Sequence, residues 1–187
     1  MCMRIVSSLT DEIVATTLLR GGVVFARTDT IYGLLARADD EKAVERVYQL
    51  KGRNPEKSPI VLIADTGQLY DAVPQEATEL VRQQWPGRVS IILPSVIAPS
   101  WIQRHNHSVA YRLPALPELQ SLIGRTGPLV APSANPESRP PAANVPEAVA
   151  YFGDGVDIYI DGGEVTKDTP PSRLLRVYPD GSLEQLR

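Results

Sequence analysis

Along the chain, apolar positions recur now at helical spacing and now in short continuous runs, and the changes of period predict a series of short helices and strands. Thr10-Asp11-Glu12 opens the first helix, with Thr10 as its cap and the carboxylates facing the positive end of the dipole; Gly21-Gly22 stops it after Arg20. Val23 to Phe25 reads as a buried strand, with Thr28 to Gly33 as the loop leaving it. A second helix spans Asp40 to Lys51 with an apolar stripe at Val44, Val47 and Tyr48. Lys51 continues that stripe, so it is either the wall of a cavity or a snorkelling side chain. Ile60 to Ala64 has strand length, and the helix from Gln75 to Trp85 ends at Pro86-Gly87. Strands follow at 89–93 and 109–113, a short helix within 114–124, a strand at 129–131, and a helix at 145–152 closed by Gly153. Strands at 158–160, 174–177 and 183–186 complete the series, while 136–146 reads as a surface loop and 161–171 as an irregular connection. The interleaving predicts an α/β sandwich, and the close strand spacing near 89–113 and 158–186 predicts a mixed sheet.

Composition narrows the classes. The 187 residues carry 19 Lys+Arg against 22 Asp+Glu, a formal charge of −3, with 43% hydrophobic residues, which suits one acidic globular domain rather than disorder. No run reaches the roughly 18 apolar residues of a spanning helix, and Met1 to Ser8 lacks a leader's apolar core, so a cytoplasmic protein without membrane contact is expected. Cys2 has no partner for an intrachain disulfide, and with only His105 and His107 beside it no Cys/His zinc cage is expected. There is no G-x-x-x-x-G-K-[ST] or G-x-G-x-x-G, and Ser133 lacks the glycines of a nucleophile elbow, which disfavours P-loop, dinucleotide and serine-hydrolase chemistry. His105-Asn106-His107 reads as a loop.

The basic positions say more. Of four lysines (Lys42, Lys51, Lys57, Lys167), two fall with Arg53 in Lys51-Gly-Arg-Asn-Pro-Glu-Lys57, between a helix and a buried strand. That is an anion site in outline, Arg53 clamping phosphate oxygens and the lysines acting as point charges, with a solvated turn as the other reading. Arg112, one step from the end of an apolar strand, needs a carboxylate or phosphate partner if it points inward. Thr28-Asp-Thr-Ile-Tyr-Gly33 offers two hydroxyls, a carboxylate and a phenol directly after a buried strand.

Taken in order, Thr28-Asp-Thr-Ile-Tyr-Gly-Leu34, Leu50-Lys-Gly-Arg53 with Lys57, Trp85-Pro-Gly87, Val109 to Pro114, Ala131-Pro-Ser-Ala-Asn135, and Asp161-Gly-Gly163 with Pro171-Ser172 resemble the YrdC-type threonylcarbamoyl-adenylate synthases. The resemblance covers nearly the whole chain. It implies a single YrdC-like domain over 1–187, without the extra C-terminal domain of longer members, built as a twisted mixed sheet with flanking helices around a positively lined concave cavity. It also implies an enzyme that joins L-threonine, bicarbonate and ATP into threonylcarbamoyl-AMP and pyrophosphate, with Mg2+ riding on the phosphates. The product feeds threonylcarbamoyl modification of a tRNA adenosine, with partner proteins and direct RNA or tRNA contact among the expectations. Carried over residue by residue, Lys51 and Arg53 would be catalytic. Lys51, Arg53, Lys57, Ser108, Ser133, Asn135 and Arg187 would hold ATP, and Thr30, Tyr32, Arg112 and Ser172 would frame threonine. The chain departs from the family pattern at Arg27 for proline, Glu137-Ser138 for Ser-Gly, Arg173 for threonine, and an apolar residue near Leu62 or Ile63 for histidine. The rival is a non-catalytic RNA-binding or ribosome-assembly module using the same basic cavity; it needs basic residues over a wider rim, and the acidic balance with few lysines favours the enzyme.

Overall fold

The computed structural model describes residues 4–166, 168–178 and 180–187; Cys2 and Lys167 lie outside them. Strands β1 (Arg4–Val6), β2 (Val24–Arg27), β3 (Tyr32–Arg37), β4 (Ile60–Leu62), β5 (Val89–Pro94), β6 (Ser108–Arg112), β7 (Leu129–Val130), β8 (Ile158–Ile160), β9 (Arg173–Val177) and β10 (Leu183–Gln185) form one sheet. Its order is β1-β8-β2-β3-β7-β4-β6-β5-β9-β10, with parallel pairs such as β2 with β8 and β4 with β6 beside antiparallel pairs such as β2 with β3. The expected mixed α/β sheet is therefore observed.

Helices α1 (Glu12–Leu19), α2 (Glu41–Lys51), α3 (Gln75–Gln84), α4 (Ser100–Gln103), α5 (Pro117–Thr126) and α6 (Val145–Phe152) cover both faces. Strand alternation explains the two layers of core. Val24, Ala26, Leu35 and Leu62 point to the side filled by Val14 and Leu18 of α1 and by Leu119, Leu122 and Ile123 of α5. Their neighbours Phe25, Leu34, Ala36 and Val61 point to the other side, where Val44, Val47 and Tyr48 of α2, Val81 of α3 and Ala148 of α6 pack.

Several expectations shift for physical reasons. Asp11, not Thr10, caps α1: its carboxylate accepts the Ile13 N–H at 3.1 Å, and Thr10 instead turns back onto Ser8. Strand β3 falls partly where a loop was expected, because a run buried on both faces carries no alternation to announce it. Strand β4 ends at Leu62 rather than Ala64, since the Ala64 N–H is taken by Gln68 Oε1 at 2.6 Å. Helix α5 starts at Pro117, where the missing N–H costs nothing, and β1 and α4 had no period long enough to read. His105 and His107 both have positive φ in a turn before β6, as the loop reading expected.

Candidate active site

Helix α2 delivers the first cation. Asp40 caps its start through the Ala43 N–H at 3.1 Å, and Gly52 ends it in the left-handed region at φ 56, so the chain reverses directly after Lys51. Lys51 is 3% exposed, which decides between the two sequence readings: it does not snorkel. Its ammonium donates to the Ser133 carbonyl, to the Asn135 carbonyl at 2.6 Å and to Asn135 Oδ1 at 3.2 Å. All three N–H bonds are thus engaged by one loop, and Lys51 fixes that loop as much as it charges the cleft. Burial, and then Arg53, pull its pKa down to about 8, with Glu137 acting in the opposite sense.

The Ser133 loop is held from its other side by β3. Leu34 N–H donates to the Pro132 carbonyl and Ala134 N–H to the Tyr32 carbonyl, both at 3.0 Å, with a bridge between Gly33 and Ser133. A side chain at Gly33 would place its Cβ 3.1 Å from the Pro132 oxygen, so the close approach favours glycine there. Beyond Gly52, Arg53 donates from Nη2 to the Ser58 carbonyl at 3.1 Å and lies 5.6 Å from the centroid of the Tyr48 ring. The Tyr48 hydroxyl donates to the Lys57 carbonyl, so helix and turn are stapled together. Lys57 itself is exposed and pairs with Glu137.

A second group of polar residues gathers where β6 ends beside the β2–β3 turn. Arg112 is 4% exposed; Nη1 donates to Thr30 Oγ1 at 3.0 Å and Nη2 to Thr28 Oγ1 at 3.4 Å. The carboxylate that its burial demands is Asp29, whose Oδ1 lies 3.1 Å from Nη1. Asp29 Oδ2 accepts the Ala115 N–H, whereas Asp29 Oδ1 and Arg112 Nε have no hydrogen-bond partner among the described residues. Burial lowers the Arg112 pKa, Asp29 raises it, and Arg187 and Arg88 lower it further. Ser172 shares a buried hydroxyl contact of 3.0 Å with Ser90, and Arg187 reaches back to the Ser172 carbonyl at 3.0 Å and its hydroxyl at 3.3 Å. The Tyr32 hydroxyl donates to the Gly163 carbonyl at 2.7 Å and accepts from the Gly162 N–H at 3.0 Å, so its phenol anchors the 161–163 segment; its ring stacks on Phe25 with centroids 4.4 Å apart, and the residue borders the cleft.

These groups line three hollows rather than one. A small cleft of about 90 Å³ is bounded by Thr30, Tyr32, Arg53, Arg112, Ser172 and Arg187. A hollow of about 310 Å³ is bounded by Lys51, Arg53, Lys57, Asn135 and Glu137. A third of about 620 Å³ has mostly apolar walls, among them Ile31, Pro140, Pro141, Tyr151 and Val165. Ser133 lines all three. Ten of the eleven expected site residues therefore meet around Ser133, including five cations. The exception is Ser108, which lines a separate cleft with His107 and Arg176. Sequence reading counted the Asp29 carboxylate within the Thr28–Gly33 motif without pairing it with Arg112, and passed over Ser90. Asp29 stands inside a quoted motif and answers the stated need of Arg112 for an acid, and Ser90 is a lone hydroxyl in an apolar strand. The Asn54 N–H, which Glu137 engages, had no sequence signal.

Residues 16–187 match the Sua5/YciO/YrdC family model, described as "Telomere recombination". The chain belongs to the Sua5/YciO/YrdC family. It is 34% identical over 167 residues to the threonylcarbamoyl-AMP synthase of Marinobacter nauticus, the match covering 86% of this chain and 87% of that one. With the synthase of Halorhodospira halophila it shares 38% over 164 residues, covering 83% and 85%. Among solved structures, Sua5 from P. abyssi complexed with L-threonine superposes with a TM-score of 0.86 at 32% identity; all of this chain is covered, and 57% of that one. E. coli YciO, at 20% identity and a TM-score of 0.85, shares the fold. The twisted mixed sheet with flanking helices is thus the Sua5/YciO/YrdC fold.

Proposed function

We propose that the chain is a threonylcarbamoyl-AMP synthase, a nucleotidyl-transferring enzyme acting on L-threonine, bicarbonate and ATP. The observation that carries the reading is Ser133, a single residue lining a cation-rich hollow, a small polar cleft and an apolar groove. These three suit a polyphosphate, an amino acid and a nucleoside, and their meeting point suits the α-phosphate, where the three parts must react. The name carried by relatives at 34% and 38% identity supports the same reading.

In this arrangement threonine lies in the small cleft, its carboxylate toward Arg112 and Arg187 and its hydroxyl toward Thr30 and Ser172. Threonine's amine and bicarbonate give the carbamate and water; a carbamate oxygen attacks the α-phosphorus, and pyrophosphate leaves. Arg53 and Lys57 hold the leaving phosphates, while Lys51 keeps the Ser133–Asn135 loop in place and adds charge from behind. No protein nucleophile is needed, because alignment of the reactants and compensation of spreading negative charge do the work. The donor set suits Mg2+ carried on the phosphates: among the described residues the two charged hollows offer one carboxylate, Glu137, already paired with Lys57. When bound, the ion would neutralise phosphate charge as the leaving group departs.

The RNA-module reading fits less well. Lys51 and Arg112 point inward at 3% and 4% exposure rather than outward over a rim. Delivery of the product to a tRNA adenosine, with partner proteins and in the cytoplasm, belongs to the proposal; among the described residues no helix is long and apolar enough to cross a membrane. The test mixes the purified protein with ATP, Mg2+, bicarbonate and labelled threonine. Pyrophosphate release that requires both threonine and bicarbonate is expected; tight RNA binding without turnover would overturn the assignment.

A further inference from the structure

We infer that Glu137 occupies a phosphate position of this site and sets how tightly the chain holds a polyphosphate. The inference rests on the reading of the lysine-lined hollow as the polyphosphate site. Glu137 Oε1 takes the Lys57 ammonium, and Oε2 accepts the Asn54 N–H at 2.8 Å. A cation and a backbone amide converging on two oxygens of one anion is the donor pattern that phosphate uses. Lys57 and the Asn54 N–H together define the position, and the carboxylate only borrows it.

Three features make the occupancy reversible. The backbone of Glu137 is fixed separately, its N–H donating to the Lys51 carbonyl at 2.6 Å, so the side chain can leave without moving the loop. Lys57 and Glu137 are 57% and 33% exposed, and exposed pairs of this kind are weak and screened. A polyphosphate brings several charges against one and can also bind Arg53, which feels the Glu137 charge but, among the described residues, forms no ion pair with it. The contacts with Lys57 and Asn54 hold the Glu137 carboxyl well below the usual range, so it remains an anion throughout neutral pH. The chain thus contains its own competitor for the leaving-group position, weakening polyphosphate affinity and speeding product release.

The test measures binding of inorganic pyrophosphate, without metal, to the full chain and to Glu137→Gln and Glu137→Ser by calorimetry. Removing the charge should tighten pyrophosphate about threefold or more at low salt, and the gain should shrink as salt rises. Lys57→Met combined with Glu137→Gln should lose that gain, because the contested cation is gone. Unchanged or weaker pyrophosphate binding in both single variants, with the fold intact by circular dichroism, overturns the inference and leaves the synthase proposal, tested separately by turnover of the parent chain, standing. Absence of pyrophosphate and ATP binding in every form, parent included, removes the polyphosphate reading itself.

Discussion

Lys51 and Arg112 are both buried cations beside Ser133, yet the molecule accommodates them differently. Lys51 is ringed by neutral oxygens of one loop, Arg112 by a carboxylate and two threonine hydroxyls. Neutral oxygens solvate an ammonium without cancelling its charge, so Lys51 keeps most of its field, offset only by the more distant Glu137, and on the proposed reading that field serves a polyanion. A carboxylate cancels much of the field of Arg112 but fixes the plane of the guanidinium, which matters more for a small substrate with one carboxylate. On the proposed function one end of the site attracts and the other orients, and each depends on a different kind of support.

The strongest way to break this contrast is Arg112→Ala. It strands Asp29, whose side chain is 7% exposed, without a counter-charge, and breaking a buried pair in that way costs about 3–5 kcal/mol. Urea unfolding should show a loss of that size together with loss of threonine-dependent turnover. The double variant Asp29→Asn/Arg112→Met should regain most of the stability and none of the activity; a single variant as stable as the parent would show that the pair is not what holds Arg112. Lys51→Met should come next. It leaves no stranded charge but deprives the Ser133 and Asn135 oxygens of their donor, worth about 2–3 kcal/mol, and loosens the loop that carries both residues. Its signature is ATP affinity lost with stability, whereas Arg53→Ala should weaken ATP about tenfold with the fold retained, because the Lys57 carbonyl keeps the Tyr48 hydroxyl and the Tyr48 ring keeps Arg104.

How legible this was in the sequence depends on the range of the interaction. The α2 stripe of Val44, Val47 and Tyr48, the stop at Gly52 and the position of Lys51 on the inner face are local and could be read directly. Strand β3 could not, because Tyr32 to Ala36 is buried on both faces and has no period. The need of Arg112 for an acid was readable, but its partner was not: Asp29 is 83 positions away, and only the folding of β6 against the β2–β3 turn brings the two together. Family likeness placed most site residues around Ser133, yet it cast Lys51 as a phosphate ligand and gave no hint that its donors face the loop. Ser108 shows the opposite limit, since a motif match does not specify which cleft a strand's first residue lines.

The pH profile sharpens the contrast further. Lys51 has its pKa depressed from 10.5 to about 8 by burial, and Arg112 keeps its charge throughout the accessible range. Below about pH 8 the lysine is protonated both folded and unfolded, so it contributes no pH dependence to stability there. Between about 8 and 10.5 the unfolded chain binds the extra proton, so this group alone makes stability rise with pH. What is lost through that window is the positive charge and one donor to the loop. ATP affinity should therefore fall above about pH 8 while the Lys51 contribution to stability does not, and threonine affinity, resting on Arg112, should fall much less. Lys51→Arg should move the decline in ATP affinity out of the measured range, and a decline that stays put would assign it to another group.

Lys57→Ala should produce the smallest effect and is the control for the whole comparison. Lys57 carries the same formal charge as Lys51, but more than half of its side chain is exposed and its partner Glu137 is itself hydrated. Truncation strands nothing buried, so the urea midpoint should not move measurably, in contrast to Lys51→Met. Only polyphosphate affinity should drop, by less than for Arg53→Ala, and the difference from the parent chain should vanish at high salt because an exposed charge is screened whereas an enclosed one is not. If instead Lys57→Ala lowers stability as far as Lys51→Met does, enclosure is not what separates these two lysines, and the division of the site into an attracting and an orienting end would have to rest on Arg112 alone.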